Sequence, residues 1–163
     1  MFDRRWFLGF LAAVTVGAMA VPSMAQDKPI LTISGKTSRT GEAVTFDRAA
    51  LESLGMATIE TTTPWHQGVM KFEGVPMDVL MKHVGASGDK ITVVALNDYS
   101  SEIPMEDFAK HGAILALKRN GEYMPVDDQG PLFIVYPYDS DPELQSQQFY
   151  GRSVWQVSKI VVE

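Results

Sequence analysis

Leu31-Thr32-Ile33-Ser34 alternates apolar and polar side chains and stops at Gly35, which predicts a short half-buried strand. Asp47 then suits a helix N-cap, and Ala49, Ala50, Leu51 and Leu54 form one face of a two-turn helix ended by Gly55. Ala57 to Thr62, rich in β-branched residues, predicts a second strand, and Val69 to Phe72 a third. Pro76 fits the first turn of a helix whose apolar face is Met77, Leu80, Met81 and Val84, with Gly85 as its stop. Lys90 to Leu96 reads as a strand closed by Asn97-Asp98, and Pro104 as the start of a brief helix with Phe108 inward and Gly112 at its end. Ala113–Arg119 and Glu122–Pro125 flank Asn120-Gly121, a dipeptide suited to the positive φ angles of a two-residue hairpin. Leu132–Tyr136 and Val154–Val162 are the last strands. Between them Pro137–Pro142, with its prolines and aspartates, is expected to be irregular.

Short strands interrupted by three short helices predict an α+β fold with a mixed, mainly antiparallel sheet. No predicted helix is long enough for regular βαβ crossovers. Without repeats or linkers, residues 26–163 read as one domain.

The first 25 residues read differently. Arg4 and Arg5 precede an apolar run from Trp6 to Val21, and Ser23-Met24-Ala25 offers small residues for cleavage before Gln26. This is the pattern of a secretory signal peptide, with an apolar core shorter than the roughly 20 residues a membrane span requires. The expectation is an exported protein, periplasmic if its source is a Gram-negative bacterium, with no stable membrane anchor after cleavage. Asp3-Arg4-Arg5-Trp6-Phe7-Leu8-Gly9 also resembles a twin-arginine export motif, though Asp3 and Gly9 depart from its flanks. Twin-arginine and Sec export both stay open.

The formal net charge is −6, and loss of Asp3, Arg4 and Arg5 with the leader makes the mature chain more acidic still. An acidic chain without a basic run argues against nucleic acid as a partner. The chain has no cysteine, so an exported form would be held by its core without disulfides.

Five segments in order carry a resemblance: Phe72-Glu73-Gly74-Val75-Pro76-Met77-Asp78-Val79-Leu80, Asp98-Tyr99 through Ile103-Pro104, the Ala113–Pro125 hairpin, Gln129-Gly130-Pro131-Leu132, and Tyr150-Gly151-Arg152-Ser153-Val154-Trp155. Together they resemble the molybdopterin-binding domain of the sulfite-oxidase family. That resemblance implies the family's fold and, in an ordinary member, molybdenum held by a cysteine thiolate. The cysteine would fall in or near Thr61-Thr62-Thr63-Pro64-Trp65, where no thiol stands. Hydroxyls are poor substitutes for that soft, strongly donating ligand. The family's histidine, arginine and lysine positions correspond here to Gln129, Phe133 and Val154. Phe133 offers a cofactor phosphate neither charge nor donor.

Other constellations give weaker signals. His83 and His111 sit near predicted helix C-termini, where a donor or cation suits exposed carbonyls. His66 follows Trp65 in the loop where the family builds its active site. Asp139, Asp141 and Glu143 resemble a fragment of a calcium loop without its glycine or distal glutamate, and read as a solvated turn. Tyr136, Tyr138, Phe149, Tyr150 and Trp155 cluster around that loop, either as core or as a ligand surface. Arg152 beside them would either anchor a ligand carboxylate or pair with Asp139 or Asp141, and pairing within the loop is the expectation.

These residues point to an exported molybdopterin-oxidoreductase-like domain without molybdenum catalysis, acting as a ligand- or partner-binding accessory or sensory module. Its candidate ligand-binding residues are Trp65, His66, Asp98, Tyr99, Tyr136 and Arg152, with no catalytic or metal residues and no cofactor expected. Its partner would be a small ligand or an envelope protein. The alternative is an atypical molybdopterin-dependent oxidoreductase with a cysteine-free first shell.

Overall fold

The computed structural model describes residues 28–39 and 41–163; the predicted leader lies outside the described residues. Strand β1 (Leu31–Gly35) is followed by β2 (Val44–Phe46), helix α1 (Arg48–Glu52), β3 (Ala57–Thr61), β4 (Met70–Pro76) and helix α2 (Met77–His83). Next come β5 (Lys90–Ala95), β6 (Ser100–Pro104), helix α3 (Glu106–His111), β7 (Ile114–Arg119), β8 (Glu122–Tyr123) and β9 (Phe133–Val135). Two 3₁₀ turns, Tyr138–Ser140 and Pro142–Leu144, lead to helix α4 (Gln147–Arg152) and β10 (Val157–Val162).

The fold is α+β, and its strands make two five-stranded sheets. The first runs β2-β1-β10-β5-β6, and the second β3-β4-β7-β8 with β9 also paired to β7. Among the described residues every pairing is antiparallel except β1 with β10. The core joins both sheets: Ile33, Ile91, Val93 and Ile160 come from the first, and Phe72, Val75, Leu115 and Phe133 from the second. All three residues of β9 are buried, which accounts for its unbroken apolar run.

Local chemistry sets the boundaries. Asp47 caps α1 by accepting from Ala50 N at 2.7 Å. Asn120 and Gly121 hold φ of 51° and 83°, the hairpin geometry their identities predict. Gly74 sits at a register shift between β4 and β7, where a Cβ would run into the Leu115 carbonyl. The Gly74-Val75-Pro76 segment is therefore a packing device as well as a resemblance.

Several sequence expectations change. The third strand runs on to Pro76, which precedes α2 instead of occupying its first turn. Strand β2 was not foreseen. Pro104 ends strand β6, and the helix begins at Glu106. The Pro137–Pro142 stretch, expected to be irregular, holds one 3₁₀ turn and the start of a second, and the described residues form four α-helices because α4 precedes the last strand. Among the described residues, no helix is long and apolar enough to cross a membrane.

Candidate functional site

A cleft of about 380 Å³ opens where the ends of the two sheets meet α4. The loop after β3 supplies Trp65, and the β5–β6 hairpin supplies Ala95, Asn97 and Tyr99. Helix α4 contributes Gln147, Tyr150 and Gly151, and the strap into β10 contributes Ser153, Val154 and Trp155. None of these side chains carries a charge.

Hydrogen bonds fix each wall. At the hairpin tip, Asp98 takes φ of 65° and its N–H donates to Ala95 O at 3.1 Å, while Ala95 N–H donates to Tyr99 O at 2.8 Å. A three-residue loop closing on a left-handed residue has this form. It carries Asn97 and Tyr99 to the rim, and Tyr99 Oη donates across it to Gly151 O at 3.2 Å. The strap is tied on both sides: Ile134 N–H donates to Val154 O and Leu96 N–H to Gln156 O, each at 2.9 Å. The Trp65 loop is anchored through Asp139, which accepts from Thr62 N–H at 2.7 Å and whose own N–H donates to Thr61 Oγ1 at 3.1 Å. The Thr62 bonds hold the Asp139 carboxyl below its ordinary range.

Trp65 is the hub. Its ring meets Trp155 at 5.4 Å and 89°, Tyr150 at 5.7 Å and 72°, and Phe133 at 5.7 Å and 67°. Edge-to-face contacts of this kind exploit the ring quadrupoles and leave rings standing as walls.

Behind Trp65 lies a polar cluster. His66 Nε2 is 3.1 Å from Arg119 Nη1, and His66 Nδ1 is 2.7 Å from Thr63 Oγ1. A guanidinium can only donate, so Nε2 accepts and the proton sits on Nδ1. Burial first, and Arg119 second, hold the imidazole below its ordinary value. Arg119 also donates to Gln129 Oε1 at 3.0 Å and pairs with Asp128.

The six sequence candidates therefore separate. Trp65 and Tyr99 line the cleft. Asp98 shapes the rim without lining it, and His66 faces the Arg119 cluster. Tyr136 is buried, with its hydroxyl donating to Asp107 at 3.0 Å. Arg152 Nη1 donates to the same Asp107 Oδ2 at 2.8 Å, not to Asp139 or Asp141, which are committed to Thr62 and to Glu143 N–H. Sequence reasoning missed Asn97, Gln147 and Gly151. The one available signal was Ser146, a good N-cap type that could have announced α4. The rings of His83 and His111 pack against Phe46 and Phe149. Among the described residues no group of three or more His, Cys, Asp or Glu is placed to hold a metal ion.

The family described as the oxidoreductase molybdopterin binding domain matches residues 19–139. The chain belongs to that family. No curated protein matches this molybdopterin-binding-domain chain. The match ends at Asp139, so α4 and the Ser153–Trp155 strap, which build most of the cleft wall, lie beyond it.

Proposed function

We propose that this member of the molybdopterin-binding-domain family is an exported accessory or sensory module that binds a small ligand in the Trp65–Trp155 cleft without molybdenum catalysis. The observation that carries the reading is the lining itself, which is uncharged throughout and has one aromatic residue on each of its four walls. In an ordinary member the resemblance implies a cysteine thiolate on the molybdenum, and a pterin phosphate calls for cationic or backbone donors. The chain contains no thiol. Phe133 and Val154, at the positions where the resemblance implies arginine and lysine, are both buried in the core. The guanidiniums nearest the site are engaged: Arg119 with Asp128, and Arg152 with Asp107. The residues present do not fit the cofactor, and no redox step is assigned to them.

Export rests on the leader pattern of Arg4, Arg5, the Trp6–Val21 run and Ser23-Met24-Ala25. A periplasmic location follows if the source is Gram-negative.

Gly151 offers a clean test. A Cβ there meets nothing within 4 Å, so Gly151→Trp fills the cleft from an open position. Native mass spectrometry of the two exported proteins should find a small organic adduct on the wild type and none on Gly151→Trp. An adduct of equal abundance on both would refute the cleft as the binding site.

A further inference from the structure

We infer that the cleft recognises a quaternary ammonium group. This rests on the reading of the cleft as a ligand site and names the ligand's class. Trp65 stands nearly perpendicular to Trp155 at 89° and to Tyr150 at 72°, so the aromatic rings of the lining meet at steep angles and offer no pair of parallel plates. Parallel plates suit a flat ring that stacks; rings at steep angles suit a rounded head that several aromatic surfaces can touch at once. Tyr99, pinned to Gly151 O, closes the rim.

Charge selects among rounded heads. The lining holds no lysine, arginine, aspartate or glutamate. An anion would find no cationic partner there. A primary ammonium would bring three donors and find no carboxylate to accept them. A quaternary ammonium has no N–H to satisfy, and its spread positive charge is drawn to ring faces. The protein's own cations go elsewhere among the described residues: Arg48 and Lys118 lie over Tyr123, and Arg152 lies over Phe149. Among the described residues no cation lies over the four aromatic residues of the cleft, in a chain whose net charge of −6 attracts cations from solution.

The chemistry is shared by free compounds such as choline and by the headgroup of a choline lipid. The test uses the exported full-length product, whose tryptophans after loss of Trp6 are Trp65 and Trp155, both in the cleft wall. Tetramethylammonium and choline are titrated by calorimetry and by tryptophan emission, with sodium chloride as the ionic control. The neutral carbon isostere 3,3-dimethylbutan-1-ol reports shape without charge. Both cations should bind saturably and shift the emission, and the isostere should bind about tenfold or more weakly. Tyr99→Leu, at a residue half exposed at 50%, should weaken choline about tenfold while the protein stays folded. Absence of saturable binding by either cation, or an isostere that binds as well as choline, overturns the inference. Molybdenum assayed in the same sample separates the two failures: a metal-free protein that ignores both cations loses only the ligand class, whereas stoichiometric molybdenum removes the underlying reading. Sedimentation with phosphatidylcholine vesicles but not phosphatidylglycerol vesicles would assign the ammonium to a lipid headgroup. Choline binding without sedimentation would assign it to a soluble compound; either result supports the inference.

Discussion

Arg152 and Asp107 form an ion pair between α4 and α3, with Nη1 donating to Oδ2 at 2.8 Å and side-chain exposures of 17% and 6%. Tyr136 donates to the same carboxylate oxygen, so one acid satisfies a guanidinium and a phenol from different parts of the chain. Burial, followed by Asp107, raises the Tyr136 phenol far above its ordinary value, so it remains a donor at any working pH.

Removing the acid leaves a charge and a hydroxyl stranded. Asp107→Ala should lose about 3 kcal/mol or more of stability, the usual cost of breaking a buried pair on one side. Asp107→Asn, which keeps an acceptor, should lose less. Urea unfolding of both variants checks this, and losses below about 1 kcal/mol in each would contradict it.

Gly151 lies inside a helix, where glycine is unfavourable relative to alanine by roughly 0.5–1 kcal/mol. Its Cβ position is open. Gly151→Ala should therefore raise stability by a similar amount, measured as an upward shift in the urea midpoint. A loss would mean that α4 needs the glycine for its backbone, not to keep the cleft open.

Gly74 is the opposite case. A Cβ there collides with the Leu115 carbonyl and Ala116 Cα, which are backbone atoms and cannot step aside. Gly74→Ala should cost about 3 kcal/mol by forcing β4 away from β7. Thermal unfolding near the wild-type value would show that the two strands can separate freely.

The His66 imidazole has a lowered value in the folded chain against an ordinary 6.5. Its neutral form is favoured by folding, so the stability it contributes is complete above about 6.5 and is lost as pH falls through the folded value. The Asp128 carboxyl, held by Arg119 below its ordinary 3.8, loses its contribution only at much lower pH. Melting temperature should thus fall in the wild type as pH drops below about 6.5, and His66→Gln should flatten that slope. An unchanged slope in the variant would assign the dependence to other groups.

What the sequence revealed follows the reach of its interactions. The Asn120-Gly121 hairpin and the α2 face of Met77, Leu80 and Met81 were legible because neighbours within one turn decide them. Strand β6 was hidden: Ser100, Ser101 and Glu102 form an edge with only Ile103 buried, so no alternation shows. Helix α4 was hidden because it buries Phe149 alone and contains Gly151. The Arg152 partner could not be read locally, since Asp107 lies 45 positions away and looks like an ordinary acid in the first turn of a helix. Of the candidate site, Trp65 and Tyr99 were legible as cleft residues; the rest of the wall depends on where α4 packs.

The most direct measurement is the molybdenum and pterin content of the protein, exported through its own leader from a molybdate-fed bacterium. Molybdenum would be counted by mass spectrometry and pterin by fluorescence after acid oxidation. Folded, monodisperse protein with neither is the predicted result. Near-stoichiometric molybdenum with pterin would contradict the account and redirect attention to Thr61–His66 as a cysteine-free ligand set.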